Sequence, residues 1–424
     1  MIPVYSQNEQ NMGMISCIFI IICVSICILL PSSLLRAENS NSIVTGYDSF
    51  IDHYTILQDD TTEILNEYYT SLTNRFAFDN AKMKPELGNS LKIGNQTVGN
   101  RMDLGLQFGR ESFIKTELKT DLYIKHFREN SDYSFSNDYK QLNTRLNIGR
   151  KFSDNIEIYS RSRLEIVDYE NRTEFDYDYN YIDTGVEISA GSILNNLFHV
   201  SASYGSREAP DTTALSYKRQ MIELDAFISP DGKYRHNLSV LANRRKYSGS
   251  SRSSLWNLYS FYRFTLLAES EKEYSIELDG ESSIYDSPSS IYFDTHFVRA
   301  GLKISIPFTD IDRISIEPRY ARMFCGQYSE ERYQEYSIIA GVEIMDIDNF
   351  WCMLSYEPGR RNYLKEENEL YSDFYLNRLS IMGSISIYSG ISADIFIIHD
   401  PETHTRKEDD FSITLISVSL SKRF

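Results

Sequence analysis

The residues best suited to do chemistry are seven histidines: His53, His126, His199, His236, His296, His399 and His404. None lies in a His-Glu-x-x-His stretch, and no Cys-x-x-Cys, Gly-x-Ser-x-Gly or phosphate-cradling glycine loop occurs. One segment brings a base, an acid and hydroxyls together: His399 and Asp400, with Thr403, His404 and Thr405. Hydrolysis would need such groups converging at one rim, and a metal would need the two imidazoles together. A His–Asp neighbour in a polar loop is a weak ground for either. The expectation is a protein that is not an enzyme and holds no metal or cofactor. Its working residues must then be sought among its charges, and in the elements that position them.

Those charges are many and mostly negative: 60 Asp and Glu against 43 Lys and Arg, a net charge of −17. That balance speaks against nucleic acid as a partner. Hydrophobic residues make up 42% and charged ones 24%, which excludes a polytopic helical membrane protein. Tyr (31) and Phe (23) are abundant and Pro (10) is scarce, a composition that favours strands. Of five cysteines, Cys17, Cys23 and Cys27 lie in one apolar run. Cys325 and Cys352 are too few for a disulfide framework and are expected as free thiols.

That run, Ile15–Leu30, reads as the apolar core of a secretory signal. Pro31 to Ala37 follows it, with a small residue before a cut at Ala37–Glu38. No Lys or Arg precedes the run, which fits a start at Met12 or Met14. An uncleaved anchor helix is the other reading. The expected organisation is a signal peptide over 1–37, a lead-in segment over 38–85 and a barrel over 86–424.

From Arg101 to Phe424, apolar and polar residues alternate. Ile114, Thr116, Leu118, Thr120, Leu122 and Ile124 oppose Lys115, Glu117, Lys119, Asp121 and Lys125. Val298, Ala300, Leu302, Ile304 and Ile306 oppose Arg299, Gly301, Lys303 and Ser305. Period two means a strand with two unlike faces. Many runs last about 10 residues or more, the length a tilted strand needs to cross a bilayer. About 17 such strands follow Arg101, and Leu91 with Ile93 suggests one more. The connections alternate as well. Short turns occur at Ser153, Ser229, Thr309 and Asp346; long polar loops include 128–137, 170–178, 206–213 and 400–410. The expected fold is all-β: a transmembrane antiparallel up-and-down β-barrel of about 18 strands, with 16 to 20 open.

A charge on the lipid face at mid-bilayer costs about 2–4 kcal/mol. The polar rows must therefore face the lumen. The expected lining is Lys115, Glu117, Lys119, Asp121, Arg145, Arg161, Arg163, Glu165, Glu223, Asp225, Glu277, Asp279, Arg299, Lys303, Glu317, Arg319 and Arg378. A charged pore wall and an ion-pair ladder that merely fills the interior are both compatible with that row. Phe108, Phe152, Phe308, Phe350, Trp351 and Phe424 lie beside short turns, as an aromatic girdle would. Acidic loop runs such as Glu408–Asp410 would suit divalent ions bridging lipopolysaccharide, or plain solvation.

The last strand, Ser417-Val-Ser-Leu-Ser-Lys-Arg-Phe424, sets Ile416, Val418, Leu420 and Phe424 on one face. It resembles the C-terminal assembly signal of bacterial outer-membrane β-barrels. With the signal segment and the hairpins, residues 86–424 resemble outer-membrane β-barrel porins, in particular a loosely defined type often linked to exopolysaccharide systems. The resemblance rests on pattern and on no catalytic motif. It implies an outer-membrane location, contacts with outer-membrane lipid, lipopolysaccharide and the barrel assembly machinery, and passive transport of small polar solutes or saccharides, polysaccharide export included. A non-conducting structural or surface-interaction barrel is the alternative.

Overall fold

The computed structural model describes residues 36–424, apart from 57–58, 80–82, 110–113, 129–137, 154, 171, 191–195, 231, 250–251, 269–270, 290, 347–348, 366–367, 369 and 389. The expected signal segment lies almost wholly outside the described residues.

Twenty strands follow one another: β1 Arg36–Ile56, β2 Asp59–Asp79, β3 Met83–Gly94, β4 Thr97–Phe108, β5 Ile114–Phe127, β6 Tyr139–Ser153, β7 Ile156–Tyr169, β8 Tyr177–Ala190, β9 Asn196–Glu208, β10 Tyr217–Ile228, β11 Tyr234–Tyr247, β12 Leu255–Leu267, β13 Glu273–Tyr285, β14 Thr295–Pro307, β15 Arg313–Cys325, β16 Tyr333–Asp346, β17 Phe350–Tyr363, β18 Phe374–Tyr388, β19 Ile391–His404 and β20 Phe411–Arg423. Each pairs antiparallel with the next, and β1 pairs with β20 from Ser42↔Arg423 to Tyr54↔Phe411. The sheet is therefore a closed ring. Closure leaves no edge, so every strand finds backbone partners on both sides, the condition for crossing lipid.

The ring has 20 strands, within the expected range of 16 to 20, and residues 38–85, expected as a lead-in segment, supply β1, β2 and the start of β3. The reason lies in the outward faces of β1 and β2, which carry Thr45, Ser49, Asn66, Thr70 and Asn74 among Ile43, Leu72 and Phe76. With polar residues on both faces, the alternation that marks a strand is muted. The outward polar groups satisfy one another: Tyr47 and Ser49 each donate to Asn66 Oδ1 at 2.8 Å.

Elsewhere the two faces are sharply divided. Val200, Ile222, Leu278, Leu302, Ile316 and Ile338 point outward and are exposed. In water this would be a large apolar band; in a bilayer it is the lipid contact. At the short-turn end Phe108, Phe152, Phe308, Phe350 and Phe424 form an exposed outward rim. Trp351 does not join it, because it takes the inward parity opposite Ser384. Ile416, Val418, Leu420 and Phe424 share the outward face of β20, and Phe424 N–H donates to Asn41 O at 2.9 Å. Cys325 and Cys352 are free.

At the long-loop end one device recurs. The residue just before a returning strand takes the last N–H of the outgoing strand, or the first one past it, on its side chain: Phe127 on Asp138, Tyr169 on Asp176, Ala209 on Ser216, Tyr247 on Ser254, Tyr285 on Asp294, Tyr363 on Asp373 and His404 on Asp410, at 2.6 to 3.2 Å. The backbone carbonyl of the same residue often takes an N–H from the next hairpin, as Asp138 O does from Glu170 and Asp373 O from Thr405. Short side chains that accept from backbone are the natural loop closers.

Candidate functional site: the lumen

Among the described residues no helix or strand lies inside the ring; strands pack only on their neighbours, and the 3-10 turns on the strands beneath them. The inward face of the wall is thus the candidate site. The register places all seventeen expected lining residues on that face.

The wall is not uniform. From β12 to β19 every inward arginine has a carboxylate partner: Arg263–Glu277 (2.7 Å), Arg299–Asp279 (2.8 Å), Arg313–Glu273 (3.2 Å), Arg319–Glu317 (2.5 Å), Arg361–Glu335 (2.6 Å) and Arg378–Asp400 (2.9 Å). Arg378 also lies 3.8 Å from Glu357. Lys303 stands opposite Ser275.

From β5 to β11 the arrangement differs. Lys119 pairs with Glu117 (2.6 Å), Arg163 with Glu165 (2.6 Å), and Asp121 accepts from Asn143 (3.2 Å). Lys115 lies in the recess formed by Glu117, Asn147, Glu157 and Arg161. But among the described residues no carboxylate is within ion-pair distance of Arg145, Arg161, Arg207, Arg219 or Arg245. Several of these rest on tyrosine rings: Arg161 lies 4.1 Å over Tyr159, Arg207 4.2 Å over Tyr177 and Arg245 5.7 Å over Tyr217. A ring's negative face holds a guanidinium without cancelling its charge. Lys119, Arg145 and Arg163 stand side by side across three strands, and Arg219 faces Arg245. Among the described residues Glu157, Glu187 and Glu223 equally have no cation within ion-pair distance, and they lie nearer the short-turn end.

Around the long-loop mouth, eight tyrosines at strand ends face inward: Tyr139, Tyr169, Tyr177, Tyr217, Tyr247, Tyr285, Tyr333 and Tyr363. Neighbouring rings touch: Tyr139–Tyr169 at 5.5 Å, Tyr217–Tyr247 at 5.5 Å and Tyr333–Tyr363 at 5.9 Å. This belt escapes a reading of the sequence that seeks aromatics only in the lipid-facing girdle. The signal is present all the same, because each tyrosine has the parity of the charged row.

The loops above are fastened to one another. Lys365 pairs with Glu330 and holds its carboxyl below the usual range, and Tyr371 donates to Glu331 Oε1 at 2.7 Å, a bond that pushes the phenol up to about 12. Burial, with Asp168 and Asp211 close by, pushes Asp176 up to about 6.

The loop placement expected for His399 and Asp400 is corrected. Both residues lie in β19, not in a loop, and successive strand residues face opposite sides. His399 Nδ1 meets Thr414 on the outer face (2.8 Å), while Asp400 faces in toward Arg378. His404 instead contacts Ser372 (3.0 Å), whose hydroxyl donates to Asp409 (2.6 Å), a loop clamp with the serine buried.

Compared by sequence, the chain matches no family model and no curated protein. Compared by structure, it is similar to outer-membrane barrels. The siderophore receptor PirA from Pseudomonas aeruginosa superposes with a TM-score of 0.54 at 7% identity, over 91% of this chain and 80% of that one. The alcaligin outer-membrane receptor FauA from Bordetella pertussis gives 0.54 at 8% identity, over 91% and 76%. OccAB4 from Acinetobacter baumannii gives 0.50 at 8% identity, over 92% of this chain and 99% of that one. At such identities the likeness speaks for the fold. Fold and wall together define the class: a membrane-spanning β-barrel of the outer-membrane type.

Proposed function

We propose that the chain is a porin-like channel of the outer membrane that passes small polar solutes, saccharides foremost, and that it carries out no catalysis. The observation that carries this reading is the inward tyrosine belt interleaved with unpaired arginines. A sugar presents apolar C–H faces and a rim of hydroxyls. Aromatic rings suit the first, and guanidinium groups, amides and carboxylates suit the second. Tyrosines that served only to anchor a barrel in lipid would face outward at the interface. Export of a polysaccharide is the same reading with a longer solute.

The test is single-channel recording of the refolded barrel in a planar bilayer, with and without oligosaccharides. The expected result is discrete conductance steps interrupted by sugar, with longer interruptions for longer oligosaccharides. Absence of conductance from protein shown to be folded would leave a structural or surface-interaction barrel.

A further inference from the structure

We propose that the lumen wall carries a divalent transition-metal site formed by His199, Glu223 and Asp225. One ligand atom from each lies within 4.8 Å of the others. The strands make this arrangement. Glu223 and Asp225 are two apart on β10, so both face inward, and Asp225 stands directly opposite His199 on β9. His199 Nδ1 lies 3.1 Å from Asp225 Oδ2. Its other nitrogen, Nε2, meets the hydroxyl of Tyr159, whose ring crosses the space left by Gly185; a Cβ there would come within 2.6 Å of the ring. A metal-bound imidazole is commonly oriented in this way, with its second nitrogen held by an oxygen.

The carboxylates around the site point to a cation. Ser201, buried and directly opposite Glu223, has the Tyr159 hydroxyl as its neighbour. Glu187 stands opposite both His199 and Glu157, and among the described residues neither glutamate has a cation within ion-pair distance. Like charges directly opposed on adjacent strands are destabilising. A divalent ion would relieve that repulsion.

One imidazole and two carboxylates suit first-row divalent ions such as Zn²⁺, and they leave coordination positions open toward the lumen. No net proton transfer is required. In the neutral tautomer that carries its proton on Nδ1, that N–H donates to Asp225 and Nε2 accepts from Tyr159. With metal on Nδ1, the proton moves to Nε2 and is donated to the Tyr159 oxygen, so the imidazole stays neutral.

The test is calorimetric titration of the folded, chelator-stripped barrel in detergent with Zn²⁺, in a Cys325→Ser, Cys352→Ser background that removes the free thiols. The expected result is one saturable site, weakened at least tenfold by His199→Ala and by Glu223→Gln, in protein whose barrel is intact by circular dichroism. His126→Ala, in the outer-rim group with Asp138 and Glu170, should leave binding unchanged. Absence of saturable binding would overturn the site, as would binding that survives both lumen substitutions or is lost with His126. Glu223→Gln keeps the test available should His199→Ala fail to fold. Binding is read without any conductance, so the site and the channel can fail separately.

Discussion

The two sides of the lumen use the same residue types for opposite ends. From β12 to β19 each inward arginine meets a carboxylate, so the charges there cancel locally and brace the wall. From β5 to β11 arginines rest on tyrosines, and carboxylates collect toward the short-turn end. Composition alone cannot separate these sides. The difference lies in register, which decides whether an arginine faces a carboxylate, a ring or another arginine. On the proposed function, the paired side would brace the wall and the unpaired side would present charge to a solute.

If so, substitution should divide the two sides. Arg378→Ala leaves Asp400 and Glu357 without their cation. It should cost about 1–3 kcal/mol of stability in urea unfolding, with little change in ion selectivity. Arg145→Ala should do the reverse. The triple change Arg145→Gln, Arg219→Gln, Arg245→Gln should lower the anion-to-cation permeability ratio severalfold while shifting the unfolding midpoint little. Equal stability losses on both sides would break the comparison.

A smaller effect is expected at the mouth. Replacing Tyr217 and Tyr247, whose rings touch at 5.5 Å, with Ala should shorten oligosaccharide block times severalfold and leave open-channel conductance nearly unchanged. The smallest effect concerns the loop after β7. Asp176 has its pKa raised from 3.8 to about 6 by burial and neighbouring acids. The folded form therefore holds its proton more tightly, and this contribution to stability is present below pH 3.8 and lost as pH rises through about 6. Amide exchange at Tyr169, corrected for intrinsic rate, should show more protection at pH 5 than at pH 7.5. Asp176→Asn, which keeps an acceptor for that N–H, should flatten the difference.

Much of this was legible in the amino-acid order. Runs such as Leu118–Lys119–Thr120–Asp121 declare two faces, and the terminal Phe424 with Val418 and Leu420 marks the closing strand. Strands β1 and β2 were hidden because Asn66, Thr70 and Asn74 put polar groups on the outward face. His399 and Asp400 looked like neighbours able to cooperate, and a strand sends them to opposite sides. The loop-closing residue was there to be read in Asp138-Tyr139, Asp176-Tyr177, Ser216-Tyr217 and Asp373-Phe374. Its meaning required knowing which N–H it caps. The charge division of the lumen was not legible, since it depends on cross-strand partners that no single strand specifies.

The most direct test of the account is the reversal potential of the refolded barrel under a salt gradient, before and after the triple arginine substitution. The expected result is a conducting channel that favours anions, and loss of most of that preference when Arg145, Arg219 and Arg245 become glutamine. A folded barrel that does not conduct, or a preference untouched by the substitution, would contradict it.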